Sequence, residues 1–192
     1  MTTSTINRPQ ETEYAPYYGK YVSLVHGDDI LTVLSDGLNE TLALVGGVPE
    51  SQSGFRYAEG KWSIRELVGH MIDSERIFAY RALRFARDDK TPLPGFEQDD
   101  YIRNASFDAC SLGDLAAEFE SVRRSTLFLF RHLDAEAWMR VGVASESEVS
   151  VRALAYIIAG HELHHAGVLR DRYLAPAQSS TSAQSSASAQ TS

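Results

Sequence analysis

Four stretches of the chain repeat apolar residues at intervals of three and four, the period of a helix with one buried face. The first is marked by Ile30, Leu34, Leu38, Leu42 and Val45; Asp28 or Asp29 can cap it, and Gly46-Gly47-Val48-Pro49 ends it. The second runs from about 64 to 86, opened by Ser63 and Glu66 as a Ser-x-x-Glu capping box and striped by Leu67, Met71, Phe78 and Phe85. Ser111 with Asp114 caps a third, which reaches about 133 with Leu115, Phe119, Val122, Leu127 and Phe130 as its apolar marks. The fourth begins near 151 and ends by Tyr173, after a stretch at 138–147 that reads as irregular. No convincing two-residue alternation appears. Helices of this kind must bury their stripes against one another, so an all-α four-helix bundle is expected. Pro92-Leu93-Pro94-Gly95 opens a connection between the second and third helices that is longer than the usual bundle loop.

Around this frame, residues 1–12 read as a flexible lead, 13–175 as the bundle domain and 176–192 as a disordered low-complexity tail, too poor in apolar residues to order itself. Tyr14 to Val22 is aromatic enough to pack along the outside of the bundle. A formal charge of −8, with no basic stripe interleaved with aromatics, argues against nucleic acid as a partner. Cys110 is the single cysteine, which excludes an intramolecular disulfide and a cysteine metal cluster. No apolar run approaches the roughly 20 residues of a membrane span, and no signal-peptide core is present, so no membrane association and a cytoplasmic location are the default expectations.

The chemistry is concentrated in Ala159-Gly-His-Glu-Leu-His-His-Ala-Gly167. His161 and His165 stand four apart, which puts both imidazoles on one side of a helical turn, rotated by about 40° from each other and within the apolar stripe. A neutral imidazole there must hydrogen-bond or ligate, because a buried unpaired polar group costs about 1–3 kcal/mol. The run also satisfies His-Glu-x-x-His, the zinc-peptidase motif, yet beyond His165 only Asp171 offers an acidic side chain, so the common downstream third ligand is missing. A third ligand must come from upstream, and His70, two turns into the second helix at the edge of its core stripe, is the candidate. Glu162 reads either as a general base on metal-activated water, the one catalytic candidate, or as an exposed helix glutamate. His164 could ligate in place of one of the pair or cap the mouth of the site. Asp73 could accept an imidazole N–H or belong to a polar face, and Arg81 could hold a substrate carboxylate or be solvated. Three imidazoles suit Zn, Ni, Fe or Mn without choosing among them.

The span 13–173 resembles the DinB/YfiT-like superfamily of metal-binding four-helix bundles in Lys61-Trp62-Ser63, Gly69-His70, Leu93-Pro94-Gly95-Phe96 and the run 159–165. The resemblance implies a crossover between the second and third helices and a divalent metal held by His70, His161 and His165, with water in the remaining positions. It also implies chemistry on a small-molecule substrate. Relatives include enzymes that use a low-molecular-weight thiol as nucleophile, so a thiol S-transferase is the leading expectation, with a metal-dependent hydrolase or a non-catalytic metal-binding stress-response module as alternatives. A homodimer is compatible with this reading. The resemblance further implies that the second helix around 74–81 and the connection 92–101 wall a pocket over the metal.

Overall fold

A computed structural model describes residues 6–27 and 29–175; Asp28 and the expected tail, 176–192, lie outside the described residues. In chain order the elements are α1 (Gly19–Val22), α2 (Ile30–Gly46), α3 (Ile64–Ala86), α4 (Gln98–Asn104), α5 (Leu112–Arg131), α6 (Ala135–Met139), the strands β1 (Val141–Ala144) and β2 (Ser147–Ser150), and α7 (Val151–Val168), which runs on into a π-helical turn, Leu169–Leu174. The long helices α2, α3, α5 and α7 are the four expected from the periodicity.

Their starts are fixed by short polar side chains that satisfy otherwise orphaned backbone N–H groups. The Asp29 carboxylate accepts from the Leu31 N–H, and Ser63 and Glu66 form the capping box of α3. Ser111 accepts from the Asp114 N–H, and Ser150 caps α7 by accepting from the Ala153 N–H.

In cross-section α2 and α3 each pack against both α5 and α7. Glu50 accepts from the Arg65 guanidinium at 2.6 Å and from the Leu112 N–H at 3.0 Å, so α3 and α5 begin at the same end of the bundle. The Tyr173 hydroxyl donates to the Trp62 carbonyl at 2.7 Å, bringing the end of the last helix there too. The successive long helices α3 and α5 therefore run parallel, and the connection between them must return the length of the bundle. This is the expected crossover.

The crossover carries α4 and is strapped down on its way. Leu93 exchanges backbone bonds with the hairpin, donating to Val143 at 2.9 Å and accepting from Ser145 at 3.1 Å, and Arg81 donates to the Pro94 carbonyl at 2.8 Å. The hairpin itself corrects the expectation of an irregular stretch without strands. β1 and β2 pair antiparallel from Val141↔Ser150 to Ala144↔Ser147, closed by Ser145 and Glu146 at φ of 51° and 62°. A two-residue turn of that hand matches strand twist, but Asn-Gly is its usual signature and Ser-Glu is not.

Part of the expected flexible lead is packed instead. The Arg8 guanidinium donates to the carbonyls of Val25, at 2.8 Å, and Val22, and Glu13, the first residue of the expected bundle domain, forms an ion pair with Arg152 on α7. The aromatic segment after it lies closer to the centre than expected: Tyr21 and Val22 of α1 are buried against α7. Gly160 permits this approach, since a Cβ there would stand 2.1 Å from the Tyr21 carbonyl oxygen.

Candidate metal centre

His70 lies in the second turn of α3 and His161 and His165 on successive turns of α7, all three buried. Their Nε2 atoms converge: His70 to His161 is 3.0 Å and His165 to His161 is 3.2 Å. One nitrogen cannot serve both contacts well. If protonated, the His161 Nε2 can donate to only one neighbour; if unprotonated, its single lone pair must serve two donors. A cation with bonds of about 2.1 Å to each nitrogen removes the conflict, because such bonds place nitrogens about 3.0 Å apart at right angles and about 3.4 Å apart in a tetrahedron. The ligand atoms of the three histidines lie within 4.8 Å of one another, and among the described residues they form the group of this kind that could hold a metal ion.

The protonation state suits that role. Burial, reinforced by His164, holds the His70 pKa down to about 4. Burial followed by repulsion from the neighbouring imidazoles keeps His161 and His165 below the ordinary histidine value as well. All three are thus neutral at pH 7 and available as ligands. Ser74 Oγ, 3.5 Å from His70 Nδ1, and the Trp62 ring, 4.6 Å from the His70 ring centre, orient the first imidazole. Tyr21 and Phe78 set their rings edge-on against His161 at 5.3 and 6.0 Å.

Two cavities open on the cluster. One, of about 360 Å³, is bounded by His70, His161, Ser74, Phe78, Phe96 and the tyrosines at 17, 18 and 21. The other, of about 340 Å³, meets His165 and His164 beneath Lys61, Trp62 and Tyr173. Gln98 and Asp99 of α4 border both. The second helix and the crossover do wall the site, as expected, and Tyr17 and Tyr18 of the turn Pro16–Tyr18 complete the wall with Tyr21 of α1, which periodicity could not assign to it.

The other candidates are placed differently. Glu162 is neither exposed nor in the three-histidine cluster: it is buried, with Oε1 accepting from Thr41 Oγ1 at 2.8 Å and Oε2 from Arg123 Nη1 at 2.5 Å. Burial pushes its carboxyl up despite the Arg123 and Thr41 bonds that pull it down. His164 stays outside the ligand cluster, half-buried, its ring against Tyr21 at 5.5 Å and His165 at 4.9 Å. Asp73 faces Arg76 at 3.8 Å, leaving Ser74 as the polar neighbour of His70. Arg81 is buried, contrary to the solvated reading, and its Nη2 donates to the Pro94 carbonyl and to Ser145 Oγ at 3.1 Å. Sequence reasoning missed Arg123, Glu75 and Thr41, although a signal was present: Arg123 falls on the Phe119–Leu127 row of α5, and Glu75 on the Met71–Phe78 row of α3.

Residues 34–169 match the DinB superfamily. The chain belongs to it. Solved structures with the same fold include YfiT from Bacillus subtilis, described as a probable metal-dependent hydrolase with an unusual four-helix bundle topology; it is 15% identical, with a TM-score of 0.66 over 86% of this chain and 90% of that one. A mycothiol-dependent maleylpyruvate isomerase is 16% identical with a TM-score of 0.63, and the aligned region spans 77% of this chain but 62% of the isomerase. A DinB-like protein, YjoA, from Bacillus subtilis is 24% identical with a TM-score of 0.54 over 73% and 85%. At these identities the likeness establishes the four-helix-bundle fold and nothing finer. No curated protein matches the chain. No helix among the described residues is long and apolar enough to cross a membrane.

Proposed function

We propose that this protein is a divalent-metal enzyme whose cation is held by His70, His161 and His165, and that its reaction is transfer of a low-molecular-weight thiol to a small electrophile. The observation that carries the metal is the meeting of three neutral Nε2 atoms at 3.0 and 3.2 Å beneath open cavities. Three protein ligands leave positions free for a substrate, whereas structural sites are closed by four. When bound, a divalent cation acts there as a Lewis acid that lowers the pKa of a coordinated thiol or water.

The chain's own residues favour the thiol. Hydrolysis calls for a base to take the proton of the attacking water, and the expected one, Glu162, has both carboxylate oxygens engaged by Thr41 and Arg123. A thiol is acidic enough to reach its anionic form at neutral pH without such a base, once a cation is beside it. The division of the open space suits two reactants. Tyr21, Phe78 and Phe96 offer an apolar wall for an electrophile on the His161 side, while Lys61 and His164 offer polar contacts for a charged thiol on the His165 side. Cys110 borders neither space, so the nucleophile arrives as a ligand. YfiT's description as a metal-dependent hydrolase supports a second reading, for which His164 is the nearby imidazole outside the ligand set.

Protein purified without a nickel column should contain, or on titration bind, close to one equivalent of a divalent transition metal, and His161→Ala should bind less than a tenth. The loaded protein should then accelerate conjugation of monochlorobimane with one of bacillithiol, mycothiol, glutathione or coenzyme A. Equal rates for wild type and His161→Ala with all four thiols would overturn the S-transferase reading, and metal-restorable cleavage of ester or amide substrates would replace it with hydrolysis.

A further inference from the structure

Beneath the histidines lies a second, buried polar cluster. Arg123, in the middle of α5, has no solvent exposure. Its Nε and Nη2 form a fork on Glu75 of α3 at 2.8 and 2.7 Å. Its Nη1 donates to Glu162 of α7 and, at 2.8 Å, to the Leu34 carbonyl of α2. Thr41 of α2 holds the other oxygen of Glu162, and Gly37 makes room, since a Cβ there would stand 2.7 Å from the carboxylate. One guanidinium thus ties together all four long helices. Burial opposes its charge, but the two carboxylates more than offset this and raise its pKa.

The placement of these bonds is what connects them to the metal centre. Glu75 follows His70 by five residues on α3, about 7.5 Å along the axis, and Glu162 is the immediate neighbour of His161 on α7. Arg123 therefore grips, from a helix that supplies no ligand, the two helices that supply all of them. Metal–nitrogen bonds tolerate only about 0.2 Å of error, so a slip of α3 against α7 by a fraction of a helical turn would separate His70 from the other pair. Apolar contacts between helices permit small slips of that kind, because dispersion is non-directional. A planar fork on a carboxylate does not.

We propose that Arg123, acting through Glu75 and Glu162, is a positioning residue that sets the α3–α7 register on which divalent-cation affinity depends. The inference rests on the three-histidine reading of the metal centre. Arg123→Lys keeps the charge but cannot fork onto Glu75 while also reaching Glu162 and Leu34; Glu75→Gln keeps the volume and one acceptor oxygen. Zn(II) affinity by chelator competition and the visible spectrum of the Co(II) form would be measured for both, with helicity and melting as controls for folding. The expected result is a loss of affinity of about tenfold or more in Arg123→Lys, the scale seen when groups supporting metal ligands are removed, with a shifted Co(II) spectrum and a smaller effect in Glu75→Gln. Folded variants that bind Zn(II) within twofold of wild type and give its Co(II) spectrum would overturn the proposal. Wild type needs no substitution to report on the same point: cation loading should slow amide exchange on α5 around Arg123, and unchanged exchange there would also overturn it. Failure of the metal reading itself would look different, since wild type would then bind no cation at all.

Discussion

Replacing Gly160 by alanine puts one methyl group against the backbone of another helix and next to His161. The new Cβ would stand 2.1 Å from the Tyr21 carbonyl oxygen, 2.4 Å from its carbonyl carbon and 3.0 Å from its Cα. Relief requires α1 to retreat by more than about 1 Å, because non-bonded heavy atoms are comfortable at about 3.5 Å and a backbone carbonyl cannot rotate away as a side chain can. Overpacking of this kind costs about 1–3 kcal/mol, while alanine in place of glycine inside a helix returns about 0.8–1 kcal/mol. A 2.1 Å contact with backbone belongs at the upper end of the overpacking range, so the net expectation is a loss of about 2 kcal/mol. In a chain of this size that lowers Tm by about 4–8 °C. Gly167 supplies the control on the same helix: nothing lies within 4 Å of its would-be Cβ, so Gly167→Ala keeps only the propensity gain and should raise Tm slightly. Thermal melts followed by circular dichroism, in the presence of a chelator, compare the two directly. A Gly160→Ala protein that melts at or above wild type would refute the close α1–α7 approach, and with it the tyrosine wall of the candidate metal centre.

Acid should destabilise the metal-free protein before its carboxylates titrate. An unfolded histidine takes a proton near pH 6.5, whereas burial holds folded His70 to about 4, so stability is intact above 6.5 and falls as the pH drops toward 4. His161 and His165 act in the same direction, each adding up to about 1.4 kcal/mol per pH unit, and a urea midpoint that does not move between pH 7 and 5 would contradict neutral, buried imidazoles. Arg81→Met should release the crossover from Pro94 and the hairpin from Ser145, seen as faster amide exchange at Gly95 and Phe96; unchanged exchange would show that Leu93 alone holds the strap. Tyr173→Phe removes the bond to the Trp62 carbonyl and should cost about 1 kcal/mol, with a change in tryptophan emission, and a silent substitution would mean that the last turn is not anchored there.

The four long helices and their starts were legible because each is a local affair. Apolar spacing and a capping side chain act within a few residues, so Ser63 with Glu66 and Ser111 with Asp114 announce α3 and α5 wherever those helices later pack. The ligand candidates were legible for the same reason: His161 and His165 share a face by helical geometry alone. His70 was reached from its place at the edge of the α3 core stripe and from the family resemblance, and the short distance between its Nε2 and that of His161, across 91 residues of sequence, is a tertiary fact. Glu162 shows the limit most clearly. Its position predicts that it points away from His161, but whether that direction meets solvent or Arg123 depends on which helix lies beyond it. The hairpin escaped because its turn adopts left-handed backbone at Ser145 and Glu146 without the residues that advertise it, and α1 because four residues carry too little period to read. Four amphipathic helices and a histidine pair fit for a metal follow from the local order of residues alone. Which helices face one another, what covers the histidines and which charges meet in the interior were decided by packing, since burial and long-range hydrogen bonds come into being only when separate faces close on each other.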